Sequence, residues 1–99
     1  MPTDDRSGPM RAAAERRGLW RLMLKLPSMR GQLQILAAKP SSLADLCEAY
    51  EDASSMRDAL QRQGADADLS LLKEYDQICV DIETDVITYC LRHPLSVPR

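Results

Sequence analysis

The chain has 99 residues, 4% of them aromatic and none Phe, and a formal net charge of −2. That length fits one small domain, since domains run from about 50 to 250 residues. Its 44% hydrophobic content argues against a wholly disordered chain, and four glycines and three cysteines against a collagen-like or disulfide-knit scaffold.

The near-zero total conceals a split. Residues 1–40 carry eight basic residues against three acidic, a balance of +5. Residues 41–99 carry five basic against twelve acidic, a balance of −7. An acidic whole weakens the case for a dedicated nucleic-acid binder, whose domain is usually strongly basic. The most apolar stretch, Leu19 to Leu26, is interrupted by Arg21 and Lys25. It falls far short of the roughly 20 residues that span a bilayer. No small-residue cleavage pattern follows it, as a signal peptide requires. An Arg-rich transit peptide is opposed by Asp4, Asp5 and Glu15. Cytoplasmic localisation is therefore expected.

In chain order, residues 1–9 are polar and read as a disordered tail. Residues 10–40 read as a basic helical arm. Within it, residues 10–26 form a helix in which Gly18 is a weak point, costing about 1 kcal/mol relative to Ala. Ser28 then caps a short helix through Ala38, with Met29, Leu33 and Leu36 on one side.

Residues 41–92 give the clearest signal. Ser42-Leu43-Ala44-Asp45 matches a capping box. Leu43, Leu46, Tyr50, Ala53, Arg57 and Leu60 follow at helical spacing, and Gly64 supplies the left-handed position that ends many helices. Asp66 or Asp68 opens a second helix, whose set is Leu72, Tyr75, Cys79, Ile82, Val86 and Tyr89. Pro94 disfavours helix at His93, so this helix stops near Arg92, and residues 93–99 form a tail. The prediction is an all-α fold. It consists of a long antiparallel helical hairpin with one or two shorter N-terminal helices, a small helical bundle.

A helical wheel at about 100° per residue adds a second apolar stripe on the last helix: Leu69, Val80, Ile87 and Leu91. A two-helix hairpin cannot bury both stripes. Three covers are open: the N-terminal segment, a second copy of the chain, or another partner.

Candidate chemistry is thin. The acids Glu48, Glu51, Asp52, Asp81, Glu83 and Asp85 include no Glu-x-x-His pair of the di-iron kind, and Asp52, Asp81 and Asp85 lie opposite the seam on a solvated face. Cys47, Cys79 and Cys90 form no Cys-x-x-Cys motif, and His93 is the single histidine, a poor set for zinc. They read as core thiols. Tyr50, Tyr75 and Tyr89 read as seam residues with hydroxyls reaching an edge, and Arg57 as a seam residue that snorkels or pairs with a facing acid. No catalytic residue, metal or cofactor is expected.

The arm carries the best binding signal. Arg16, Arg17, Trp20, Arg21 and Lys25 interleave charge with apolar residues, which suits an anionic membrane surface or nucleic-acid phosphates. The plainer reading has Leu19, Trp20, Leu22, Met23 and Leu26 covering the second stripe, with the basic residues facing the acidic hairpin.

The run Leu43-Ala44-Asp45-Leu46-Cys47-Glu48-Ala49-Tyr50-Glu51-Asp52-Ala53, with Glu74-Tyr75-Asp76 and Asp81-Ile82-Glu83 in the following helix, resembles small, uncharacterised bacterial helical-hairpin proteins. The resemblance covers about residues 28–92. It implies a bacterial, soluble helical hairpin and no activity. The expected function is a non-enzymatic interaction or regulatory module that self-associates as a homodimer through Leu69, Val80, Ile87 and Leu91. The alternatives are a membrane or nucleic-acid binder using the arm, and a metal- or thiol-dependent enzyme.

Overall fold

The computed structural model describes residues 4–38 and 42–93. Among them every regular element is helical: α1 (Asp4–Lys25), α2 (Arg30–Ala37), α3 (Ser42–Arg62) and α4 (Leu69–Arg92). Short 3-10 turns, Pro27–Met29 and Gly64–Asp66, precede α2 and follow α3. The all-α hairpin with preceding helices is thus the observed fold.

The hairpin follows its sequence signals closely. Gly64 takes the left-handed conformation, φ 63°, just beyond the end of α3. Asp68 caps α4, its side chain accepting from the Leu71 amide at 3.1 Å. Tyr50 stands opposite Glu83 and Arg57 opposite Asp76, the register of an antiparallel pair. Cys47, Tyr50, Ala53, Cys79, Ile82, Val86 and Cys90 share one buried core.

The N-terminal region departs from expectation. Helix α1 begins at Asp4, so residues 4–9 are helical rather than a disordered tail. At 22 residues α1 is as long as α3, which has 21, rather than a shorter accessory helix. Ser28 is no helix cap: Pro27 starts a 3-10 turn, and Met29 holds the cap position of α2 without a side-chain bond. Helix α3 already includes Ser42, so its cap position falls at residue 41, outside the described residues, as do residues 1–3 and the tail beyond His93.

Helix α2 reverses the chain, and α1 then runs parallel to α3: Arg11 meets Asp45 and Glu48, while Arg21 meets Asp58. Helix α3 lies between α1 and α4 and packs closely on both, whereas α1 and α4 make no comparable contact. Leu22 and Met23 of α1 and Leu33 and Leu36 of α2 complete the core. Gln32 of α2 donates to the carbonyls of Cys90 at 2.7 Å and His93 at 3.2 Å, tying α2 to the last turn of α4. The Cα radius of gyration is 15.3 Å, with extents of 56 × 40 × 17 Å. A compact chain of this length has a radius near 13 Å. The helices therefore spread broadly, and much of their outer surface stays uncovered.

Candidate functional site

The hairpin interior holds no accessible chemistry among the described residues. Cys47, Cys79 and Cys90 are all buried and free. Burial pushes the Cys47 thiol up to about 12, with the Glu15 charge adding to it, and raises those of Cys79 and Cys90. Thiols held protonated in this way are poor nucleophiles. The buried Tyr50 hydroxyl donates to Glu83 at 2.6 Å, and burial, followed by that bond, raises its pKa. Arg57 approaches Asp58 at 3.6 Å and Asp76 at 3.8 Å, so it pairs across the seam as well as within its own helix. Among the described residues no three His, Cys, Asp or Glu side chains converge for a metal ion.

A groove that the sequence did not suggest lies where α3 starts and α4 ends, lined by Ser42, Asp45, Asp85, Arg92 and His93 among others. It collects the residue types of a hydrolase without their geometry. The His93 ring stacks on Tyr89 at 4.2 Å, and its Nδ1 lies 3.0 Å from the Tyr89 carbonyl oxygen. No hydrogen bond joins it to Ser42, Asp45 or Asp85 among the described residues. A nucleophile needs its base within hydrogen-bond reach.

The basic arm divides into two sets. On one side α1 docks on α3. Arg17 donates to Glu51 at 3.0 Å, and Arg21 donates to Glu51 at 2.8 Å and to Asp58 at 2.9 Å. Glu51 is only 6% exposed. Arg11 adds a bond to Glu48 at 3.0 Å. The Arg21 hydrogen bond holds the Asp58 carboxyl below the usual range. The expected attraction of basic arm for acidic hairpin is therefore met, on α3.

On the other side, Met10, Trp20 and Leu24 point outward at helical spacing, with Trp20 62% exposed. Arg16 and Lys25 are exposed beside them and make no ion pair among the described residues. Trp20 was expected to pack inward with Leu22 and Met23. Instead it takes the opposite face, because α1 turns Leu22, Met23 and Gly18 toward the bundle.

The second stripe of α4 receives no cover from α1. Leu69 is 70% exposed, Val80 47% and Leu91 71%, and Ile87 is partly buried. The reason is electrostatic and steric. The acids matching the arginines of α1 lie on α3, and the glycine of α1 meets the backbone there. A Cβ on Gly18 would collide with the Cys47 carbonyl oxygen and stand 2.6 Å from its carbon. The arm thus covers α3 and leaves α4 open.

No family model, curated protein or solved structure matches the chain. No helix among the described residues is long and apolar enough to cross a membrane.

Proposed function

We propose that the protein is a non-enzymatic helical interaction module that self-associates through the outer face of α4. One observation carries this reading: Leu69, Val80 and Leu91 remain exposed although the N-terminal helices have already packed. Large apolar side chains aligned along a helix mark an interaction surface more often than isolated ones do. The buried, protonated thiols support a binding role over thiol chemistry.

Sedimentation equilibrium at micromolar concentration is the test. The expected result is a dimer. Val80→Asp and Leu91→Asp should each weaken it by at least about tenfold, which corresponds to 1.4 kcal/mol, without loss of helical circular dichroism. A wild-type protein that is monomeric at high micromolar concentration removes the proposal.

The outer face of α1 favours a second reading, contact with an anionic membrane surface. Met10, Trp20 and Leu24 are exposed on the line edged by Arg16 and Lys25. Nucleic-acid binding draws less support, because Arg11, Arg17 and Arg21 are held by acids of α3. Vesicles rich in anionic lipid should blue-shift Trp20 fluorescence and sediment with the protein, and Trp20→Ala should abolish both. No shift at low salt dismisses this reading.

A further inference from the structure

We infer that α1 lies along an anionic lipid surface while still docked on α3, with Trp20 and Leu24 in the interface and Arg16 and Arg17 holding a lipid phosphate beside the Trp20 ring. This rests on the membrane reading proposed above, and specifies its residues and the state of the fold. The molecule exposes two apolar lines, and the charges around them differ in sign. The stripe of α4 is edged by Asp76 and Glu83, which repel an anionic surface. Between Met10 and Lys25, α1 carries five basic residues and one acid, Glu15. Glu15 is half-buried and close enough to Cys47 for its charge to raise that thiol's pKa, which places it on the α3 side. The outer face of this stretch therefore carries cations and no acid. Charge selects α1 for an anionic partner.

The layout of that face suits a helix lying in the plane of the interface. At about 100° per residue, Met10, Ala13, Trp20 and Leu24 fall within an arc of about 80°. Arg16 lies about 40° beyond Trp20, and Lys25 about 60° beyond Met10 on the other side. The line from Met10 to Leu24 runs about 21 Å at 1.5 Å per residue. Interfacial helices sink their apolar face about 5–10 Å into the boundary between headgroups and chains. At that depth the stems of Arg16 and Lys25 can lie along the apolar line while their charged ends reach phosphates. An indole ring favours the same level.

A shallow hollow gives the phosphate its place. Ala13, Arg16, Arg17, Trp20 and Arg21 line it, and the short side chain of Ala13 leaves the room between the longer ones. Arg21 is engaged there by Glu51 and Asp58. Arg17 falls inside the apolar arc, but its Nε donates to Glu51 at 3.0 Å, which draws the guanidinium to the α3 side of the face. Its side chain remains 61% exposed. Arg16 makes no ion pair among the described residues, so Arg16 and Arg17 flank the ring from its two sides. None of this requires α1 to leave α3. Undocking would withdraw Leu22 and Met23 from the core and part Arg17 and Arg21 from Glu51, whereas the outer line is already exposed.

Partitioning of the full chain onto vesicles tests this, with phosphatidylcholine alone set against phosphatidylcholine carrying phosphatidylserine. Binding should need the anionic lipid and weaken as salt rises. Arg16→Gln should weaken it about fivefold, the share of one basic side chain near such a surface, and Leu24→Ala should weaken it as well. Lys73→Gln, which removes the same charge from α4, should change it by less than about twofold, because that charge stays off the surface. Hydrogen exchange of α1 amides should be no faster on the vesicle than in solution. Faster exchange, or equal losses from Arg16→Gln and Lys73→Gln, overturns the docked α1 geometry and leaves the membrane reading standing. Tighter binding to a single-stranded oligonucleotide than to the anionic vesicle assigns these cations to nucleic acid and overturns the proposal. No binding at low salt, or binding indifferent to anionic lipid, overturns both the geometry and the membrane reading.

Discussion

Helices α1 and α4 flank α3 by different means. Helix α4 buries Cys79, Ile82, Val86 and Cys90 in an apolar seam, and Tyr50–Glu83 and Arg57–Asp76 provide its polar ties. Helix α1 brings a glycine against the backbone of Cys47 and sets arginines over a buried glutamate. The α4 interface draws on side-chain volume, and the α1 interface on close approach and charge. Burial of apolar surface is not screened by ions as charge pairs are, and it tolerates volume-conserving substitutions best. A glycine crossing tolerates no added atom, and exposed ion pairs are screened.

The sharpest way to break the symmetry between the interfaces is Gly18→Ala. In an isolated helix this change gains about 1 kcal/mol. Here the new methyl would overlap the Cys47 carbonyl, and backbone cannot swing aside as a flexible side chain does. Forcing extra volume into a packed contact costs about 1–3 kcal/mol, so the net sign reverses. Urea unfolding should show a lower midpoint with an unchanged slope. A stabilised Gly18→Ala variant would mean that α1 does not cross α3 at this point.

That glycine also shows what the sequence could and could not reveal. The α3–α4 pair was legible because apolar residues recur at the helical period and Gly64 and Asp68 punctuate the turn. Gly18 read as a weakness, since propensity is local while its role depends on a partner 29 residues away. Glu51 read only as one of a crowd of acids with Glu48 and Asp52, yet it is buried. A signal was present: Ala44, Cys47, Glu51, Ser54 and Asp58 recur at helical spacing, a stripe of small residues carrying two acids. Arg17, Gly18 and Arg21 are its complement on α1. Charge matched to small size does not register in a search for hydrophobic periodicity. The open α4 stripe was legible from the wheel, whereas which helix would leave it open depended on this hidden match.

The charged half of the comparison is sharpened by Glu51→Gln. The carboxylate accepts from both Arg17 and Arg21, and its loss leaves one side of each guanidinium without its charged acceptor. Arg17 is largely exposed and Arg21 about one-third so, and solvent therefore limits the effect to about 1 kcal/mol. Raising salt toward 1 M, where the Debye length falls to about 3 Å, should narrow the gap between wild type and variant. Hydrogen exchange of α1 amides should accelerate more than that of α4 amides. Equal acceleration in both helices would mean that Glu51 supports the whole core rather than the docking of α1.

The two flanks of the pH profile act on different groups. Asp58 titrates below the ordinary carboxylate range because it accepts from Arg21. Its contribution is complete above the unfolded carboxylate value of about 3.9 and is lost as pH falls through the lower folded value. The acid flank should therefore loosen α1 first. The thiols behave in the opposite sense. Unfolded cysteines ionise near pH 8.5, while folded Cys47 keeps its proton up to about 12. Above the unfolded value the native chain binds more protons than the unfolded one, so stability falls as pH rises through that window. Cys79 and Cys90, raised mainly by burial, carry the same trend into α4. Acid should thus raise amide exchange in α1 while α4 stays protected, and alkali should raise it in both helices. An acid flank that opens α4 first would show that the arginine contacts contribute less to docking α1 than its buried Leu22 and Met23.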